Sequence, residues 1–354
     1  VEVDGNARTI SALAWIREEL LEMSERLSTP SPRPRVLPAS RLKGVKNDIR
    51  NNRAQGQFEG KDVLIEWKTI PSQGKNAFAP IFEERIKDVA YLLRSDRKPA
   101  QFRTLDCLAL VRELKPDGTT KYGLVYERKH PVSFSLRDIL AQKQRQIPLG
   151  DRFLAAQSMA IALLYLQLAS WVHKGIRSDN VLYFAPTPEF VNFNEPFLIG
   201  FDMSRPNKEN EMTEVPRGEL RFNLYRHPRV QGVPIDAANA AAEHSQNPAA
   251  SRERFSVLHD MYSFGIILLE LAECRCIEDL CREGKPDCFE GRFSPERMRR
   301  WLIEEKVPTL SSLMGQRYRE ATMICLTGEL DLSQRNFESA FYLEVVRRLQ
   351  QCQA

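Results

Sequence analysis

The chain has 354 residues, enough for one large two-lobed domain or two small ones. Lys and Arg number 51 against 47 Asp and Glu, so the net charge is only +4 and no general affinity for nucleic acid follows from it. Hydrophobic residues at 42% and charged residues at 28% are ordinary for a globular protein, and no uncharged apolar run reaches roughly 18 residues, so no segment is expected to cross a membrane.

In chain order, residues 10–27 place Ile10, Leu13, Ile16, Leu20, Met23 and Leu27 on one face of a helix. Docking on the domain behind it is preferred over a coiled-coil or partner-binding role. Residues 28–38 carry four prolines and read as a linker. The stretch Val63–Lys68 reads as a strand, about Pro80 to Arg94 as a helix, and Leu105–Leu114 with Tyr122–Glu127 as a hairpin around Lys115-Pro116-Asp117-Gly118. From residue 133 onward the pattern is mostly helical. Residues 151–172 and 255–273 are apolar nearly all round, which belongs inside a domain. The Ala-, Asn- and Ser-rich stretch 233–252 reads as a loop.

A small β-rich part thus precedes a larger α-rich part: an α+β chain with a helix and linker over 1–38, a β-rich lobe over 39–128 and a helical lobe over 129–354. A cleft between two such lobes is a natural ligand site. The seven cysteines are odd in number and lack a framework spacing, which favours a reducing, cytoplasmic setting. Cys274, Cys276, Cys281 and Cys288 could bind zinc as thiolates, but their spacing fits no ribbon or finger, and unlinked thiols are preferred. The chain begins at Val1 rather than Met and is expected to be a piece of a longer protein with an upstream domain.

Four short motifs follow one another: His173–Leu182 (HKGIRSDNVL), Phe197–Arg205 (FLIGFDMSR), Leu224–Pro228 (LYRHP) and His259–Gly265 (HDMYSFG), with VLIEWK upstream. In this order they resemble the catalytic loop, the metal loop, the end of the activation segment and the central helix of eukaryotic protein kinases. The resemblance covers about residues 55–350 and implies a two-lobed protein-kinase-like fold. It looks closest to kinase-like domains of filamentous fungi, some of which sit behind a HeLo-type, prion-inhibition domain. That implies self/non-self or cell-death signalling and protein partners.

The same resemblance implies a loss of catalysis. The catalytic-loop Asp that orients the substrate hydroxyl falls on Gly175, and the metal-binding Asp falls on Gly200. His173, Arg177 and Asn180 are retained, Arg177 standing where a lysine steadies the γ-phosphate. Lys68 matches the lysine that grips the α- and β-phosphates; the plain alternative is a solvated strand lysine. Period two puts Glu66 on the face of Lys68, where it would crowd a nucleotide unless Lys68 pairs with it. Glu83, preferred over Glu84, would pair with Lys68, and Tyr126 would guard the back of the pocket. The stretch Ala54–Lys61 stands where a Gly-rich loop is expected but lacks its pattern. Asp202 could rescue metal binding only if it faced the same way as the missing Asp. Phe201 and Asp260 match scaffold residues, and Arg229 reverses the charge of a structural glutamate. The expectation is a pseudokinase with no cofactor; the alternative is an atypical, weakly active kinase using ATP and Mg²⁺.

Overall fold

The computed structural model describes residues 14–26, 34–48, 52–70, 79–142, 146–208, 219–231, 253–284 and 294–354, apart from positions 16, 20, 95, 97 and 334. The loop expected over 233–252, Cys288, and Ile10, Leu13, Ile16, Leu20 and Leu27 therefore lie outside the described residues.

The N-terminal half is built on a six-stranded sheet of β1 (Val36–Pro38), β2 (Leu42–Asp48), β3 (Arg53–Phe58), β4 (Lys61–Ile70), β5 (Cys107–Leu114) and β6 (Thr120–Glu127). Their order is β1-β5-β6-β4-β3-β2, with β1 parallel to β5 and every other pair antiparallel. Val36–Pro38 is therefore a strand and not linker. Proline fits there because an edge strand needs no inward N–H from it. The stretch Ala54–Lys61 is likewise strand, closed by a tight turn in which Glu59 and Gly60 both take positive φ. It is not a phosphate-cradling loop.

Strand β4 alternates as a strand must, and the alternation decides where the site forms. Val63, Ile65 and Trp67 join a small outer cluster with Leu42, Phe58, Val111 and Val125. Leu64, Glu66, Lys68 and Ile70 point to the opposite face, and all four are buried. Helix α2 (Ala79–Leu92) packs on that face through Ile86, Val89 and Ala90, which belong to the main core.

The C-terminal half is helical. After the short helix α3 (Leu136–Leu140), started by a Ser135–Asp138 capping box, helix α4 (Leu149–Leu168) runs through the core. It ends earlier than the apolar run suggests: Ser170 takes φ 58°, and Trp171–Val172 then pairs with Arg205–Pro206. The central helix Val257–Glu273 is buried from His259 to Ala272. It stops at Cys274, which caps it at φ 53°. Two short pairings, Trp171–Val172 with Arg205–Pro206 and Val181–Phe184 with Phe197–Leu198, bring loop 173–180 beside loop 199–204.

The described part of the first helix, α1 (residues 14–26), lies on the helical half. The Trp15 and Tyr342 rings are 4.9 Å apart, the Tyr165 hydroxyl donates to Glu19 at 2.5 Å, and Met23 is buried in the main core. Burying a Met side chain stabilises by about 2 kcal/mol. The chain is thus α+β, with its sheet in the N-terminal half and helices in the C-terminal half, an arrangement compatible with two lobes. Among the described residues no helix is long and apolar enough to cross a membrane.

Candidate functional site

Where β3 and β4 face the helical half, three charged side chains are buried together: Arg53, Glu66 and Lys68. Arg53 and Glu66 are direct cross-strand partners. Buried charge is tolerated only when paired and hydrogen-bonded, and each of the three spends its charge on the loops opposite.

Glu66 Oε1 accepts from the Gly200 N–H at 2.7 Å and from Arg53 Nε at 3.2 Å. Glu66 Oε2 accepts from the Tyr126 hydroxyl at 3.1 Å and the Phe201 N–H at 3.4 Å. Arg53 Nη1 donates to the Asp179 carbonyl at 2.9 Å, and its Nη2 donates to Asn180 Oδ1. Lys68 Nζ donates to the Asp202 carbonyl at 2.8 Å and lies 5.7 Å from the Phe82 ring. The sheet is stapled to both loops by side chains from two neighbouring strands.

Beneath the staples lies a fixed scaffold. Asp260, on the central helix, accepts from the His173 N–H at 2.6 Å and the Lys174 N–H at 2.9 Å. Burial pushes its carboxyl up to about 7 against the opposing pull of these bonds and of Lys174 and Arg205. The His173 ring meets Phe201 edge-on at 4.5 Å, and burial lowers the imidazole to about 3. Asn180 Nδ2 donates to the Gly175 carbonyl at 2.6 Å, which closes the loop on itself.

The two glycines differ in what they permit. Gly200 has φ 89°, and a Cβ on it would fall 2.2 Å from Asn180 Nδ2. A Cβ on Gly175 would find its nearest neighbour, the Gly200 carbonyl oxygen, at 3.2 Å. No carboxylate stands at either position.

The sequence candidates are thus gathered, with changed partners. Glu66 shares the strand face of Lys68 and pairs with Arg53, because the strand register sets those two opposite each other. Tyr126 is buried, and its hydroxyl donates to Glu66. Glu84 is exposed and pairs with Lys87 at 2.6 Å, while Glu83 is half-buried and reaches the Tyr122 hydroxyl, whose pKa burial and this carboxylate raise. Arg177 stacks 4.3 Å from the Phe222 ring and lies 3.8 Å from Asp179, with burial lowering its pKa. Asp202 belongs to no group of converging metal-binding side chains among the described residues. Arg229 pairs with Glu253 at 3.3 Å on the surface.

Cys274, Cys276 and Cys281 are unlinked thiols and do not converge. Cys276 instead meets the carboxylates of Glu270 and Glu278. Sequence reasoning missed Arg53. Its loop partners lie far along the chain, and no local pattern in the sequence marks it. A scan against protein-family models finds no match for the chain, and no curated protein matches it.

Proposed function

We propose that this chain is a degenerate protein-kinase-like domain that works as a non-catalytic signalling or interaction module. The order of its parts supports that reading. A sheet with one packed helix precedes a helical half, and a buried Asp on the central helix holds the loop backbone of His173 and Lys174. The His173–Phe201 contact joins the two loops that the resemblance assigns to catalysis and metal binding.

The observation that carries the non-catalytic reading is the guanidinium of Arg53. It donates to Asn180 Oδ1, the side-chain oxygen that a metal would need, and ties Glu66 to the same spot. The chain supplies its own cation where a magnesium–nucleotide complex would bring one. Phosphoryl transfer depends on positioning and on charge stabilisation by metal and base, and Gly175 and Gly200 offer neither. Lys68, the remaining phosphate ligand, is bonded to the Asp202 carbonyl. The stapled cleft presents the two halves as one surface, and the ligands suited to such a module are proteins.

Thermal unfolding with ATP, with and without Mg²⁺, tests this. The native chain is expected to show no magnesium-dependent rise in Tm and no transfer of the γ-phosphate to a generic protein substrate. A magnesium-dependent rise together with transfer would overturn the reading in favour of an atypical active kinase.

A further inference from the structure

Away from the cleft, the end of the central helix turns back on the start of helix Ile277–Gly284. This turn brings a carboxylate oxygen of Glu270, the Cys276 sulfur and a carboxylate oxygen of Glu278 within 4.8 Å of one another. Glu270 and Cys276 are buried, Glu270 completely.

The two carboxylates are each held by one oxygen. Glu270 Oε1 accepts from the Tyr225 hydroxyl at 2.6 Å, the Ile277 N–H at 2.8 Å and the Ser178 hydroxyl at 3.3 Å. Glu278 Oε1 accepts from Arg137 Nη1 at 2.5 Å. The second oxygen of each, Oε2, is buried and has no hydrogen-bond partner. Two orphaned carboxylate oxygens in one small volume are rare, since a buried carboxylate oxygen without a donor is left desolvated and uncompensated. The outer bonds, by contrast, are of the kind that orient metal ligands.

We infer that Glu270, Cys276 and Glu278 form a site for a divalent cation of the zinc class. A thiolate with two carboxylates suits a borderline-soft ion and does not suit Mg²⁺, which takes oxygen alone. The charges also close: a divalent ion and the Arg137 guanidinium together balance three anionic ligands. Three protein ligands leave a fourth tetrahedral position for water. The ion would fix Glu270 as the acceptor of Ser178 and Tyr225, and so tie the end of the central helix to the loop that carries Asn180.

Cobalt and zinc salts alone serve as probes on the whole chain, freed of metal by a chelator. One equivalent of Co²⁺ is expected to give a thiolate-to-cobalt charge-transfer band in the near ultraviolet, displaced by Zn²⁺, and Zn²⁺ is expected to raise Tm. Cys276→Ser should abolish the band. Glu278→Gln, which keeps its shape and its bond to Arg137, should weaken binding about tenfold or more. A chain that gives no band, or one whose band survives Cys276→Ser, overturns the assignment; the two carboxyls then share a proton. Should Cys276→Ser not fold, Glu278→Gln decides alone, and unchanged cobalt affinity overturns it equally.

Discussion

Arg53 stands directly opposite Glu66 across strands β3 and β4, and the two side chains meet at 3.2 Å with both almost fully removed from solvent. A pair placed this way owes its stability to its hydrogen bonds, because desolvating two charges offsets most of their attraction. Breaking it from one side leaves the other charge stranded.

Arg53→Met is therefore expected to destabilise the chain by about 3 kcal/mol, since Glu66 keeps its burial and loses its counter-charge. Glu66→Gln should cost less, because Gln still accepts from the Gly200 N–H. In the double variant the losses should be clearly less than additive. Urea unfolding of the four proteins gives the coupling. Additive losses would mean that the pair does not act as a unit.

Gly200 and Gly175 should respond differently to a methyl group. Gly200→Ala forces a side chain into a left-handed backbone and onto Asn180, and is expected to cost about 2 kcal/mol or more. Gly175→Ala meets neighbours that need give only by a few tenths of an ångström and should stay within about 1 kcal/mol of the native chain. Equal Tm values for the two variants would contradict this. By the same geometry Gly200→Asp would drive its Cβ into Asn180, so the double variant Gly175→Asp, Gly200→Asp is expected to give no gain in phosphotransfer.

Stability should fall as the solution is acidified. Burial holds His173 neutral down to about 3 and His259 down to about 4, both below the ordinary 6.5. The unfolded chain then binds more protons, so this contribution is whole above about pH 6.5 and is lost as pH falls through the folded values. Asp260 works in the opposite direction, since its raised carboxyl binds a proton in the folded chain first and loses stability as pH rises toward 7. His227, also lowered to about 3, adds to the histidine side, and Glu270, raised to about 8, adds to the acid side, so three imidazoles oppose two carboxyls. At about 1.4 kcal/mol per proton per pH unit the imidazoles prevail between about pH 4 and 6.5. Unfolding free energies at several pH values check the slope, and Asp260→Asn should steepen it. A flat profile would show that the imidazoles are already protonated in the fold.

Asp260→Ala should loosen the loop before it unfolds the chain. It leaves two buried N–H groups, those of His173 and Lys174, without an acceptor, at a cost on the order of 2–4 kcal/mol. Hydrogen exchange at these amides should quicken while exchange along helix α4 changes little. Protection that stays unchanged at both residues would remove Asp260 from its holding role.

Much of the element pattern was legible because it rests on local periodicity. The alternation of β4, the hairpin around Lys115–Gly118 and the two apolar helices all appear near their expected bounds. Val36–Pro38 was not legible, since prolines mask a short edge strand. Lys68, His173, Phe201 and Asp260 could be singled out through the resemblance that the motifs around them carry. Arg53 could not, because its partner Asn180 lies 127 positions away and no local pattern announces the contact. The Glu270–Cys276–Glu278 cluster was hidden for a related reason: two of its three groups are carboxylates, and the spacing of the thiols does not mark them.

Apart from one contact of Lys68 with the Met203 sulfur at 3.5 Å, the staples between the sheet and the loop at 200–203 grip main-chain atoms: Lys68 holds a carbonyl, and Glu66 holds two amide hydrogens. Such bonds are blind to side-chain identity. Asp202 could therefore be exchanged for many other residues without unfastening the two halves, whereas a single change at Lys68 or Glu66 would be felt along the whole seam. Mutational tolerance should be lopsided along this seam, permissive at Asp202 and strict at Lys68 and Glu66.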